Sequence, residues 1–155
     1  MTRLPLLVAA ILMVLFQVAW FSIGHADPTA DLIKKLSSQN VMDRRDAARQ
    51  LGKMKDPVSI MPLIRTLKDP EPMVRLDASG ALIEIGSPVV EPLIEVLKGE
   101  THTAFLWNAI RILNVLGDPR AIGPLNEIVK TNPDPNIQQI ARSTVERLQK
   151  ANPPK

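Results

Sequence analysis

The feature that most constrains this chain is that it repeats itself. Units begin at Leu32, Leu63, Leu93 and Leu125, at intervals of 31, 30 and 32 residues, and cover residues 32–62, 63–92, 93–124 and 125–150. Self-similarity at such a fixed period marks a solenoid. One unit cannot bury its apolar face alone, whereas stacked neighbours bury a continuous core.

Each unit reads as a helical hairpin. Asp56-Pro57, Ser87-Pro88 and Asp118-Pro119 recur every 31 residues. Each pairs an N-cap residue, whose side-chain oxygen accepts a free amide, with a proline whose missing N–H costs nothing in the first turn. Pro62, Pro92 and Pro124 follow four to five residues later and either kink that turn or restart the helix. Leu63-Ile64-Leu67, Leu93-Ile94-Leu97 and Leu125-Ile128-Val129 then form apolar stripes at helical spacing, closed by Lys68, Lys98 and Lys130 at the dipole's negative end. A polar turn leads to a second helix with an aligned ladder. Val74-Ala78-Leu82-Ile85 matches Phe105-Ala109-Leu113-Leu116 and Ile137-Ala141-Val145-Leu148, and the first unit supplies Ala47, Leu51 and Met54. Spacings of four, four and three keep these side chains on one face, and the small alanine allows close helix approach.

The pattern Leu63-Ile64, Leu67-Lys68-Asp69-Pro70, Val74-Arg75, Ala78, Ala81-Leu82, Ile85-Gly86-Ser87-Pro88, Pro92 resembles the short HEAT repeat of the phycobilisome-lyase-like kind. The second unit matches best. The first lacks the Asp-Pro turn, and the fourth lacks the closing Gly and Pro. The resemblance implies an all-α, right-handed α-solenoid of about four hairpins, with the second helices lining a concave surface that binds partners. It implies fold more firmly than function, because these repeats serve many roles.

Composition agrees with close aliphatic packing: 45% of residues are hydrophobic but only 3% aromatic. With no cysteine, disulfides, thiol catalysis and thiolate metal sites are excluded. The formal charge of +3 is small and unclustered, so no nucleic-acid partner is expected.

The N-terminus reads as an address. Residues 1–26 carry Arg3, an uncharged apolar run over residues 4–23, and then Gly24-His25-Ala26. A positive end, an apolar core and a small-residue site form a secretory signal peptide, cut here after Ala26. The run is also long enough to span a bilayer, which leaves an uncleaved inner-membrane anchor as the alternative and the only route to membrane contact. Cleavage would leave residues 27–155 as one repeat domain in the periplasm or outside the cell.

Two enzyme readings come with the resemblance. Some HEAT-like proteins attach bilin chromophores, and others hydroxylate with paired His-Glu motifs on iron. The second lacks its ligands, because residues 27–155 hold one histidine, His102. The first lacks a nucleophile or acid–base cluster, and export fits poorly with cytoplasmic light-harvesting antennae. No catalytic, cofactor-binding or metal-binding residue is assigned.

The remaining expectation is a binding surface for another protein, on a non-catalytic scaffold. Arg45, Arg49, Arg75, Arg111 and Arg142, with Arg44, fall on or near the exposed side of the second helices, interleaved with Asp43, Asp46 and Asp77. They form either a solvated, charge-mixed face or a basic stripe that grips carboxylates through arginine forks. The second helix of the third unit has no acidic residue and holds Leu106, Trp107 and Ile110 outside the ladder. These residues pack between neighbours, or Trp107 and Arg111 anchor an interface. An accessory role in a bilin-lyase-like enzyme is the alternative to a scaffold.

Overall fold

The computed structural model describes residues 27–153; the signal-peptide and anchor readings of residues 1–26 lie outside the described residues. Among the described residues eight α-helices form four antiparallel hairpins: α1 (Pro28–Lys35) with α2 (Val41–Met54), α3 (Ile60–Thr66) with α4 (Pro72–Ile85), α5 (Val90–Leu97) with α6 (Thr103–Leu116), and α7 (Ile122–Thr131) with α8 (Pro135–Ala151). The fold is an all-α solenoid. Second helices stack in order, α2 on α4, α4 on α6 and α6 on α8, more closely than the first helices do.

The proline spacing has a specific outcome. Pro57–Ser59, Ser87–Val89 and Pro119–Ala121 form single 3₁₀ turns, and each following α-helix starts two residues before Pro62, Pro92 or Pro124. Asp56 and Asp118 cap these turns by accepting from Val58 N and Arg120 N at 3.0 and 2.9 Å. Ser87 does not cap: Gly86 takes that position at φ 88°, ψ −141°, a conformation open to glycine. In the first unit the helix starts at Pro28, four residues before Leu32, capped by Asp27.

The repeat starts lie in the core, with Leu63, Leu93 and Leu125 fully buried and Leu32 at 7% exposure. Ala47, Ala78, Ala109 and Ala141 are each 0% exposed, so the alanine rung is an interior position. Met54, expected as the first unit's last rung, is 41% exposed instead. A close helix approach lies between second helices of successive repeats. A Cβ on Gly52 would stand 2.6 Å from Ala81 Cα and 2.7 Å from Ala81 Cβ.

One turn device recurs in all four hairpins. Ser38, Asp69, Glu100 and Asn132 occupy equivalent positions, and each side chain accepts the N–H two residues on, at 2.9–3.1 Å. Six residues after that position, Arg44, Arg75 and Gln138 donate back to the turn carbonyls of Ser38, Asp69 and Asn132. In the third repeat this place is taken by buried Leu106.

The turn acids also join repeats. Arg44 grips Asp69 with a two-pronged contact at 2.8 and 2.9 Å, both side chains largely buried. Lys68 reaches Glu100 at 2.5 Å and lies 5.4 Å from the Phe105 ring centroid. Burial works to raise the Glu100 pKa, but Lys68 and the N–H groups of His102 and Thr101 outweigh it, so the carboxyl titrates below its ordinary value. At the third junction Asn132 replaces the acid and Lys98 turns to Glu95 of its own helix. A groove of about 550 Å³ stays open there, lined by Leu97, Glu100, Pro124, Ile128 and Asn132.

Candidate binding surface

The exposed face of the second helices follows from helix geometry. Residues two before and two after a buried alanine lie about 160° from it around the helix, on the opposite side. Two before stand Arg45, Leu76, Trp107 and Gln139; two after stand Arg49, Gly80, Arg111 and Ser143. Side chains of four successive helices thus meet on one surface.

Its chemistry changes along the array. In the first two repeats the charge is internally compensated: Arg45 Nε donates to Asp77 at 2.7 Å, Arg49 Nη1 donates to Asp77 at 3.2 Å, and Arg49 also pairs with Asp46. At the position two before the alanine, Arg45 of the first repeat gives way to apolar Leu76 and Trp107, 45% and 47% exposed. Of the three apolar departures in α6, Leu106 and Ile110 are core at 1% and 0% exposure, whereas Trp107 stands on the surface.

Grooves flank Trp107 on both sides. One of about 570 Å³ runs between α4 and α6, lined by Pro72, Arg75, Leu76, Ala104, Trp107 and Arg111. The other, about 320 Å³, lies between α6 and α8 against Gln139, Ile140 and Ser143. Asn108 also lines the first, and its Oδ1 accepts from buried Ser79 Oγ at 3.3 Å. Gly80 continues the α4 wall one turn beyond Leu76, and a Cβ there would meet nothing within 4 Å.

The structure therefore sorts the expected site residues. Trp107, Arg111 and Arg75 share one groove. Within it Arg75 is engaged, since its Nη1 donates to the carbonyls of Asp69 and Pro70 at 2.7 and 3.0 Å. Arg111 is half-buried and makes no ion pair among the described residues. Arg45 and Arg49 lie one repeat away, neutralised by Asp77. Arg142 departs from the face: it follows Ala141 directly, a position filled by fully buried Ala48, Ser79 or Ile110 in the other repeats. The five arginines do not form one continuous basic stripe.

Leu76 and Gly80 belong to the site and were not singled out from sequence. Both could have been found by aligning the units on their alanine, because they stand level with Trp107 and Arg111. His102 serves structure: its Nδ1 accepts the Phe105 N–H at 3.2 Å and caps α6. Among the described residues no three His, Asp or Glu side chains gather as a metal ion would need. Among them, too, no helix is long and apolar enough to cross a membrane.

Comparison with known proteins agrees with this architecture. A family model described as HEAT repeats matches residues 29–103. Phycocyanin operon protein Z of Pseudanabaena tenuis, itself described as uncharacterized, is 31% identical over 137 residues, 83% of this chain and 68% of the relative. The phycocyanobilin lyase subunit beta of Thermosynechococcus vestitus is 29% identical over 104 residues, 67% of this chain; the chain spans only 48% of that subunit. With the repeats, the eight helices and these relatives in agreement, the chain belongs to the HEAT-repeat family, of the short phycobilisome-lyase-like type.

Proposed function

We propose that this chain is an exported, non-catalytic scaffold that binds another protein through the exposed face of its second helices. The observation that carries the reading is Trp107: a large aromatic side chain, 47% exposed, that lines one groove together with exposed Leu76 and with Arg111. Tryptophan and arginine dominate interface anchors, and Arg111 stands one helical turn from Trp107 beside the same groove. The closer packing of the second-helix layer supports placing this face on the inside of the array's bend, where a partner gains contact from several repeats. Neutralised Arg45 and Arg49 argue against a phosphate-binding stripe.

Capture experiments from the native host test the reading. Full-length chain should recover a protein partner, and Trp107→Ala should weaken that capture by about thirtyfold if Trp107 is an anchor. Equal capture by the two would remove the assignment. Export is tested by intact mass: loss of residues 1–26 supports the signal peptide, and their retention in the membrane fraction supports the anchor.

A second reading is favoured by what the relatives are called. One is a lyase subunit for phycocyanobilin and the other a phycocyanin operon protein, which supports an accessory subunit of a bilin-handling enzyme. Co-production with phycocyanobilin separates the two. Bilin absorbance that stays with the purified chain favours the accessory subunit, and a colourless chain with a protein partner favours the scaffold.

A further inference from the structure

We infer that the groove between α4 and α6 receives an extended protein segment carrying a large apolar side chain two positions from an aspartate or glutamate. The inference rests on the protein-binding reading above and specifies what the site selects. Trp107 and Arg111 are four residues apart on α6, so they stand about 6 Å apart along its axis. In an extended segment, residues i and i+2 point to the same side and lie about 6.7 Å apart. A helix-bound aromatic and cation at that separation therefore match an apolar side chain and a carboxylate spaced i, i+2.

Hydrogen bonding singles out Arg111 as the cation that meets the acid. Arg75 stands at the other end of the groove, but its Nη1 is held by the Asp69 and Pro70 carbonyls. Arg45 and Arg49 share Asp77. Neither groove arginine makes an ion pair among the described residues, but Arg111, unlike Arg75, makes no side-chain hydrogen bond there either, and a carboxylate would complete it through charge-assisted hydrogen bonds. The apolar side chain of the segment has Leu76, Ala104 and the Trp107 ring to cover. From Thr103 to Arg111 the groove runs about 12 Å, room for about four extended residues. Gly80 matters by lacking a side chain, because it leaves the Arg111 end of the channel open.

Selection of random heptapeptides displayed on phage against immobilised full-length chain tests the inference. Wild-type chain should enrich a large apolar residue two positions from Asp or Glu. Arg111→Glu should reverse the charge preference to Lys or Arg while keeping the apolar residue. Arg111→Ala should weaken binding of the best synthetic peptide by about tenfold or more. Gly80→Gln, an uncharged side chain placed in open space so that folding is retained, should also weaken it while leaving Trp107 and Arg111 intact. Enriched peptides that need Trp107 but show no acid preference, or whose preference survives Arg111→Glu, would overturn the spacing inference and leave the protein-binding reading standing. If no peptide is enriched and native capture is indifferent to Trp107→Ala, both fail.

Discussion

Two substitutions of the same kind should have opposite signs. Gly52 and Gly80 both lie inside second helices, and replacing glycine by alanine in a helix interior gains about 1 kcal/mol from backbone entropy and propensity. At Gly80 nothing opposes that gain, because the new methyl enters open space. At Gly52 the methyl would stand 2.6 Å from Ala81 Cα, and the obstacle is backbone rather than a movable side-chain tip. Carbon atoms need about 3.5–4.0 Å, so α2 and α4 must separate by about 1 Å along a fully buried seam that includes Ala48 and Ala78. Overpacking of this kind costs about 1–3 kcal/mol, and with backbone as the obstacle the upper half of that range applies. After the propensity gain, Gly52→Ala should lose about 1–2 kcal/mol and Gly80→Ala should gain about 0.5–1 kcal/mol. For a domain of this size each kcal/mol moves the midpoint by about 4 °C. Thermal unfolding followed at 222 nm should thus show a fall of about 4–8 °C for the first and a rise of about 2–4 °C for the second. A Gly52→Ala midpoint that rises as Gly80→Ala does would refute the close approach of the two helices.

Other outcomes follow from the same packing. Ala109→Leu inserts volume at a fully buried rung and should cost about 1–3 kcal/mol in a denaturant titration; an unchanged midpoint would mean the ladder does not face the core. Lys55 holds a left-handed conformation at φ 54° where the next two repeats place Gly86 and Gly117, so Lys55→Gly should stabilise by about 0.5–1 kcal/mol in the same titration. Trp107→Ala should change stability far less than the 3–5 kcal/mol of a core aromatic, because the ring is half exposed. Glu100 titrates below its ordinary value when folded, so its contribution is fully present above the ordinary glutamate pKa and is lost as pH falls through the lower folded pKa. Melting from pH 6 down to pH 3 should therefore fall less steeply in Glu100→Gln than in the wild-type chain.

The repeat frame was readable because its determinants are local and periodic. Leu63, Leu93 and Leu125 announce the hairpins, and alanines at four-residue spacing from their neighbours mark the buried rung. What stayed hidden depends on register between repeats. Arg45 and Arg49 look like surface cations within their own helix, and their partner Asp77 lies 32 and 28 residues on. No rule of neighbouring helix turns finds such a pair, though superposing the units does. Arg142 looked like a member of the same face because it follows the alanine closely, yet one residue turns a helix by about 100° and carries it off that face. Ser87 matched the capping pattern, but the glycine before it took the cap. Trp107 could not be assigned between core and surface by composition alone; its level with Arg45, Leu76 and Gln139 settles its exposure.

Site-specific photocrosslinking in native cells tests the central claim most directly. A benzophenone side chain placed at Leu76, 45% exposed beside Trp107, should trap a protein partner. The same group at Met61, 39% exposed on first helix α3, should trap none. A partner trapped from Met61 but not from Leu76 would contradict the assignment of the second-helix face.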